Sequence, residues 1–369
     1  MDKPLQGLKV VELARILAGP WAGQLLADLG AEVIKVERPG IGDDTRAWGP
    51  PFAEDGSAAY FHGCNRGKTS VAIDLESAEG QAAVRALVRD ADVLIENFKV
   101  GGLVKYGLDH ASLSALNPRL IYCSITGFGQ NGPYAGRAGY DFIIQGMGGI
   151  MDLTGEPDGV PQKSGVAFAD IFTGMYASTA ILAALRGRDA TGAGCHIDMA
   201  LFDTQVAVLA NQAMNYLIGG EVPRRLGNAH PNIAPYQVFA VADGHVIVAA
   251  GNDRQFERLL ALLGLAADAR FGSNAERVRN RAALDALLAP AIAPRRRDEF
   301  LAALAAAGVP AGPINDVGAV FADPQVIARG LRIDPGGVPG VASPIVIDGR
   351  RQVADTPSPG LTEAPAPKR

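Results

Sequence analysis

The amino-acid sequence predicts an α/β fold, with a large doubly wound, Rossmann-like parallel-sheet domain and a smaller α+β domain. Three observations carry this. Short apolar, β-branched runs recur through the first third of the chain, and a stretch of helical character follows each. Glycine is abundant, at 45 residues, which suits close helix-to-sheet contact and tight turns.

The first run is LKVVEL (8–13). A Gly-Pro turn follows, and Pro20 suits the first position of the helix PWAGQLLADLG, where a missing N–H leaves no bond unmade. Gly30 can close that helix, and AEVIKVER (31–38) is the next strand. The rhythm returns with VAIDL (71–75), the helix SAEGQAAVRALVRDA and the strand DVLIENF (92–98). SLSALNP then leads into RLIYCSITG (119–127). Strands this apolar, separated by helices, belong to a parallel sheet covered on both faces.

From about 139 the pattern turns helical, with a long apolar helix over 169–188. CHIDMALFDTQVAVLANQAMNYLIGG reads as a short strand and one long helix. The polar stretch 221–235 reads as a linker. Beyond it, YQVFAVADGHVIVAA places two strands around Asp243-Gly244, a hairpin signal, and Ala/Leu-rich helices occupy about 253–307. The resulting division is a large domain over 1–220, completed by 320–369, and a small domain over 221–319. The Pro-rich tail 356–369 is expected to fray.

Composition removes several classes of function. Hydrophobic residues make up 48% and charged residues 20%, which excludes a disordered chain. The net charge of −5 carries no long run of one sign, so no nucleic-acid or polybasic membrane partner is expected. Cys64, Cys123 and Cys195 form no CxxC, and their odd number suits free thiols in a reducing compartment. The five histidines lack metal-ligand spacing, so no metal is expected. The N-terminus has no signal-peptide core, and no apolar stretch is expected to reach membrane-spanning length. The expected location is cytoplasmic.

The first strand–turn–helix unit invites a nucleotide reading, because a helix N-terminus offers free N–H groups to phosphate. Glu37 ends the second strand, where a dinucleotide fold places its ribose-binding acid. Yet Leu13-Ala14-Arg15-Ile16-Leu17-Ala18-Gly19-Pro20 contains no GxGxxG, and no Walker A sequence occurs. NAD is not expected as a cofactor.

Several segments, in order, resemble the class III CoA-transferase family across nearly the whole chain. They are 8–46 (LKVVELARILAGPWAGQLLADLGAEVIKVERPGIGDDTR), NRGKTSVAIDL (65–75), DVLIENFKVGGLVKYGL (92–108) and NPRLIYCSITGFGQNGPYAGRAGYD (117–141). TGEPDGVPQKSGVAFADIFTGMYA (154–177), GNAHPNIAPYQVFAVADG (227–244) and GVPAGPIND (308–316) complete the set. The family holds both CoA transferases and acyl-CoA racemases. The resemblance implies acyl-CoA and a small carboxylic acid as substrates, and an interlocked homodimer threaded through linkers around 195–235 and 310–330.

Asp170 matches the family's catalytic aspartate, which forms an acyl–aspartyl anhydride with the substrate. Its place near a helix start predicts an ionised carboxylate; by itself that place suits an ordinary capping aspartate better than a nucleophile, and the family match reverses this. Tyr140 stands where the racemases carry a histidine, and tyrosine is what the formyl-CoA transferase branch carries. It is expected to donate a hydrogen bond to a carboxylate or oxyanion. Arg38, Asn97 and Phe98 match CoA-contacting positions, and Lys99, Lys105, Arg137 and Lys68 are further phosphate candidates. Arg38 and Asn97–Phe98 also fall at strand carboxyl ends, where α/β sheets bind ligands.

The chain departs from the formyl-CoA transferase branch in two places. Arg15-Ile16-Leu17 replaces its His-Val-Gln run, so Leu17 lacks the amide used there, and Gly227-Asn228-Ala229-His230 replaces its glycine-run lid. These departures argue against oxalate or formate as the preferred acid. Arg15 and Arg46, near the N-terminal loop, predict a small carboxylate instead, a dicarboxylate exchanged with succinyl-CoA.

Overall fold

The computed structural model describes residues 3–362. They form two compact units. One contains the residues up to 149, 164–209 and those from 324 onward; the other contains 150–163 and 210–323. The sequence reading divides the chain at 220/221 and 319/320 instead, with 150–163 on the large side.

The first unit is built on six parallel strands: β1 (Lys9–Glu12), β2 (Glu32–Glu37), β3 (Lys68–Ala72), β4 (Val93–Glu96), β5 (Ile121–Thr126) and β6 (Cys195–Ala200). Their order is β3-β2-β1-β4-β5-β6, so the chain runs outward from the centre in one direction and then in the other. β3 starts at Lys68, three residues before the predicted VAIDL strand, because Lys68–Ala72 pair in register with Val33–Glu37.

The main helices of this unit are α1 (Ala18–Asp28), α2 (Ala78–Arg89), α3 (His110–Leu116), α4 (Asp141–Met147), α5 (Phe168–Thr191) and α6 (Leu201–Ala207). α1 begins two residues before Pro20, which falls in its first turn, where a proline still costs no bond. Two glycines set the helix approach. A β-carbon on Gly23 of α1 would sit 1.9 Å from Glu12 Oε2, and one on Gly174 of α5 would sit 2.6 Å from the Ala18 carbonyl oxygen.

α5 is long and apolar enough to span a bilayer by length and composition, contrary to the sequence expectation. Its apolarity has another use: Ala169, Ala177, Ile181 and Leu185 are buried in the core between α1 and the sheet. The long helix predicted after β6 is broken. α6 ends at Ala207, a second helix starts at Ala210, and Ala210 adopts φ +45° at the junction. The tail 356–362 does not fray. The Ala72 N–H donates to the Thr362 carbonyl and the Gly67 N–H to that of Thr356, which covers the open edge of β3. Residues 363–369 of the predicted frayed tail lie outside the described residues.

The second unit holds an antiparallel sheet of β7 (Tyr236–Val241), β8 (Gly244–Ala249) and β9 (Ala311–Pro313). The predicted hairpin is present, with Ala242-Asp243 as its two-residue loop. Helices 253–263, 281–292 and 297–307 bury Leu259, Leu284, Leu288 and Leu304 in its core.

Candidate active site

The carboxyl ends of β1, β4, β5 and β6 open on a cavity of about 460 Å³. In this strand order the β1/β4 boundary is the point where the winding reverses, the usual place for a ligand crevice.

The floor is the loop after β1. The Leu13 and Ala14 N–H groups both donate to the Ile95 carbonyl. Asn97 then grips Arg15 from both sides: its Oδ1 accepts from the Arg15 N–H at 2.9 Å, and its Nδ2 donates to the Arg15 carbonyl at 2.6 Å. The Ile16 N–H donates to the Asp43 carboxylate at 3.2 Å. Ile16 itself has φ +74°, a conformation that a β-branched residue adopts only under constraint. Strain of this kind persists where its surroundings overdetermine it, and Asn97 and Asp43 supply that here. Leu17 follows as the residue before α1 and faces the same cavity.

The opposite wall is the start of α5. The cap predicted for Asp170 is made by another residue. Asp141, the first residue of α4, accepts from the Ala169 N–H at 2.8 Å and the Asp170 N–H at 3.2 Å. The helix-end donors that were expected to stabilise Asp170 are thus taken by a neighbouring carboxylate. Asp170 is partly buried, and burial, reinforced by the Asp141 charge, pushes its carboxyl up to about 7. This corrects the expectation of a fully ionised group. Tyr140, at the N-cap of α4, is 64% exposed, makes no capping bond and lines the cavity beside Asp141 and Asp170.

Arg15, Lys99, Lys105 and Arg137 add cationic side chains to the lining, alongside Asn97 and Phe98. Arg15 lies over the Phe98 ring at 5.6 Å and pairs with Asp44 at 3.2 Å. Arg137 stacks on Tyr134 at 4.7 Å. Three sequence candidates are not brought here. Arg38 pairs with the other oxygen of Asp44, outside the lining. Arg46 makes a two-point pair with Glu37 at 2.7 and 2.8 Å and covers the Phe61 ring at 3.7 Å, so its fork is already filled. Lys68 is fully buried and donates to Glu12, the Pro20 carbonyl and Asn65, out of reach of any phosphate.

Sequence reasoning missed Asp141 and Tyr60. Asp141 ends the 117–141 motif, yet its capping role crosses 28 residues of chain. Tyr60 carries a hydroxyl pushed up to about 12 by burial and by the charges of Asp170 and, more weakly, Asp141, which places it in the same electrostatic neighbourhood. No local pattern marks either. Among the described residues no cluster of His, Cys, Asp or Glu could hold a metal ion.

The family description "CoA-transferase family III" matches residues 5–364. A succinate–glutarate CoA-transferase of Agrobacterium fabrum is 58% identical over 98% of this chain and 93% of its own. The human succinyl-CoA:glutarate CoA-transferase is 44% identical over 89% of this chain and 76% of its own. A crystal structure of a CAIB/BAIF family protein from Brucella suis superposes with a TM-score of 0.89 at 64% identity, covering 98% of this chain and 97% of that one. The chain belongs to CoA-transferase family III.

Proposed function

We propose that this CoA transferase moves CoA from succinyl-CoA to glutarate, or to a dicarboxylate of similar length, with Asp170 carrying the activated group. The observation that carries the proposal is the lining of one cavity by the Asp170 carboxyl together with Arg15, Lys99, Lys105 and Arg137. The named activities of the Agrobacterium and human relatives support the choice of substrates.

The chemistry balances without ATP. An Asp170 oxygen attacks the succinyl thioester, the C–S bond breaks, CoA thiolate leaves and a succinyl–aspartyl anhydride remains. The thiolate then adds to the Asp170 carbonyl and expels succinate. Glutarate attacks the resulting aspartyl thioester and releases the thiolate again. That thiolate takes the glutaryl carbonyl and frees Asp170. Each step exchanges one activated acyl bond for another.

Lys99, Lys105 and Arg137 supply charge for the phosphates of CoA, with Arg38 at the neighbouring strand end. Arg15, held by Asn97, is the candidate for the distal carboxylate of the acid. Tyr140 is free to donate to the oxyanion of each tetrahedral intermediate. A homodimer fits the outer face of α5, where Met175 and Tyr176 are 47% and 46% exposed on an otherwise apolar helix. The expected location remains the cytoplasm.

The test is turnover of succinyl-CoA with a panel of acids, read as new acyl-CoA by chromatography. Glutarate is expected to give the highest kcat/KM. A clear preference for formate or oxalate would overturn the substrate assignment.

A further inference from the structure

Beside the active-site cavity lies a second one of about 300 Å³ that shares Phe98, Lys99, Val100 and Gly102 with it. It holds titratable groups that the transfer chemistry does not use. Glu96, the last residue of β4, is buried, and its carboxylate accepts the Phe98 N–H at 2.7 Å. Ser124 is its cross-strand partner on β5, and the Ser124 hydroxyl pulls the Glu96 carboxyl down against burial. The Ser124 hydroxyl also meets His196 Nε2 of β6 at 2.9 Å. A hydroxyl has one proton, so when Ser124 donates to Glu96 it accepts from His196. The His196 ring stacks on His110 of α3 at 4.6 Å, and Tyr122 closes edge-on against both rings.

We propose that Glu96 is a positioning residue for CoA: its ionised carboxylate, held through Ser124 by the stacked His196–His110 pair, fixes the Asn97–Phe98–Lys99 strand end that lines the active site. The inference rests on the reading of that cavity as the CoA site. Its reach is short and covalently defined. Glu96 holds Phe98 two residues on, and Asn97 between them grips both sides of the Arg15 backbone. A neutral Glu96 gives a weaker acceptor for the Phe98 N–H, and the strand end loosens with it.

The surroundings place the change near neutrality. Burial pushes the Glu96 carboxyl up to about 7, against the pull of Ser124 and the Phe98 N–H. The groups around it are Tyr122 and Cys123 of β5, His196 and Asp198 of β6, Asp109 and His110 at the start of α3, and Lys99. Burial raises the Tyr122 hydroxyl and the Cys123 thiol and keeps both neutral. Burial, with His110 beside it, lowers His196, which stays neutral at pH 7. Glu96 is therefore a member of this group whose charge changes as pH crosses 7.

The experiment is calorimetric binding of free CoA to the full-length protein between pH 5.5 and 8.5. Wild-type protein and the variants Glu96→Gln, Glu96→Asp and Ser124→Ala are compared, so that the titration of CoA itself is common to all. The wild type should bind CoA about tenfold more tightly at pH 8 than at pH 6. Glu96→Gln should lose that difference. Glu96→Asp should keep it, because an aspartate can still accept from the N–H two residues on. Ser124→Ala should shift the midpoint to higher pH, since the carboxylate loses a donor. A pH dependence identical in wild type and Glu96→Gln overturns the inference, as does an unshifted midpoint in Ser124→Ala. No CoA binding by the wild type would instead overturn the reading of the cavity.

Discussion

Two halves of the same sheet treat buried charge in opposite ways. On the β1–β3 side every buried ion has a partner. Glu12 receives Lys35 at 3.0 Å and Lys68 at 2.9 Å; Lys35 also pairs with Asp43 at 2.9 Å, and Glu37 takes Arg46. Burial pulls Lys35 down, but Glu12 and Asp43 outweigh it and hold the ammonium above its usual range. Burial likewise pushes Asp43 and Glu37 up, and Lys35 and Arg46 with their neighbours bring both below the ordinary carboxylate range. On the β4–β6 side Arg188 pairs with Asp92 at 2.8 Å, but among the described residues Glu96 and Asp170 form no ion pair, and both are pushed up to about 7. The paired half is scaffold, and it holds the strained Ile16 loop through Asp43. The unpaired half keeps carboxylates poised to change charge, which a nucleophile and its positioning group require.

The largest effect should come from breaking the scaffold. Lys68→Met leaves Glu12 with Lys35 alone and takes the ammonium from Asn65 and the Pro20 carbonyl, and should cost about 3 kcal/mol in chemical denaturation. The effect of Asp170→Asn should be smaller and of opposite sign. The folded Asp170 carboxyl lies above its unfolded value of about 4, so its ionisation works against the fold. That penalty is absent below pH 4, grows as pH rises, and is complete above about 7. With allowance for partial exposure, Asp170→Asn should gain about 1–2 kcal/mol at pH 8 and nothing at pH 4. An unchanged or lowered stability at pH 8 would remove Asp170 from the unpaired class. The smallest effect concerns Arg15, whose pair with Asp44 is half-open to solvent. Arg15→Ala should raise the KM for the acid about fivefold, by the loss of one charge-assisted bond, with little change in stability. If every acceptor's KM stays unchanged, Arg15 is not the carboxylate site.

Much of this was legible in the sequence. The strands of the large unit are apolar and β-branched, so their order along the chain could be read directly. β3 was misplaced because Lys68, Thr69 and Ser70 are polar residues that enter a strand only to pair with β2 and its carboxylates. Asn97 and Phe98 follow the carboxyl end of β4, and with Lys99, Lys105 and Arg137 they line the cavity. Arg46 and Lys68 were misjudged because composition does not reveal which cations already have a buried acid. The charge state of Asp170 was misjudged for a similar reason. Asp141 takes the helix-end donors from 28 residues away, and that arrangement exists only after folding.

The central claim is that Asp170 carries the activated group. Incubation with succinyl-CoA, trapping with hydroxylamine and peptide mass spectrometry test it most directly. One modified side chain, Asp170, is expected, and none in Asp170→Ala, whose transfer activity should fall by at least about 10⁴-fold. Modification at another residue, or label that persists in Asp170→Ala, would contradict it.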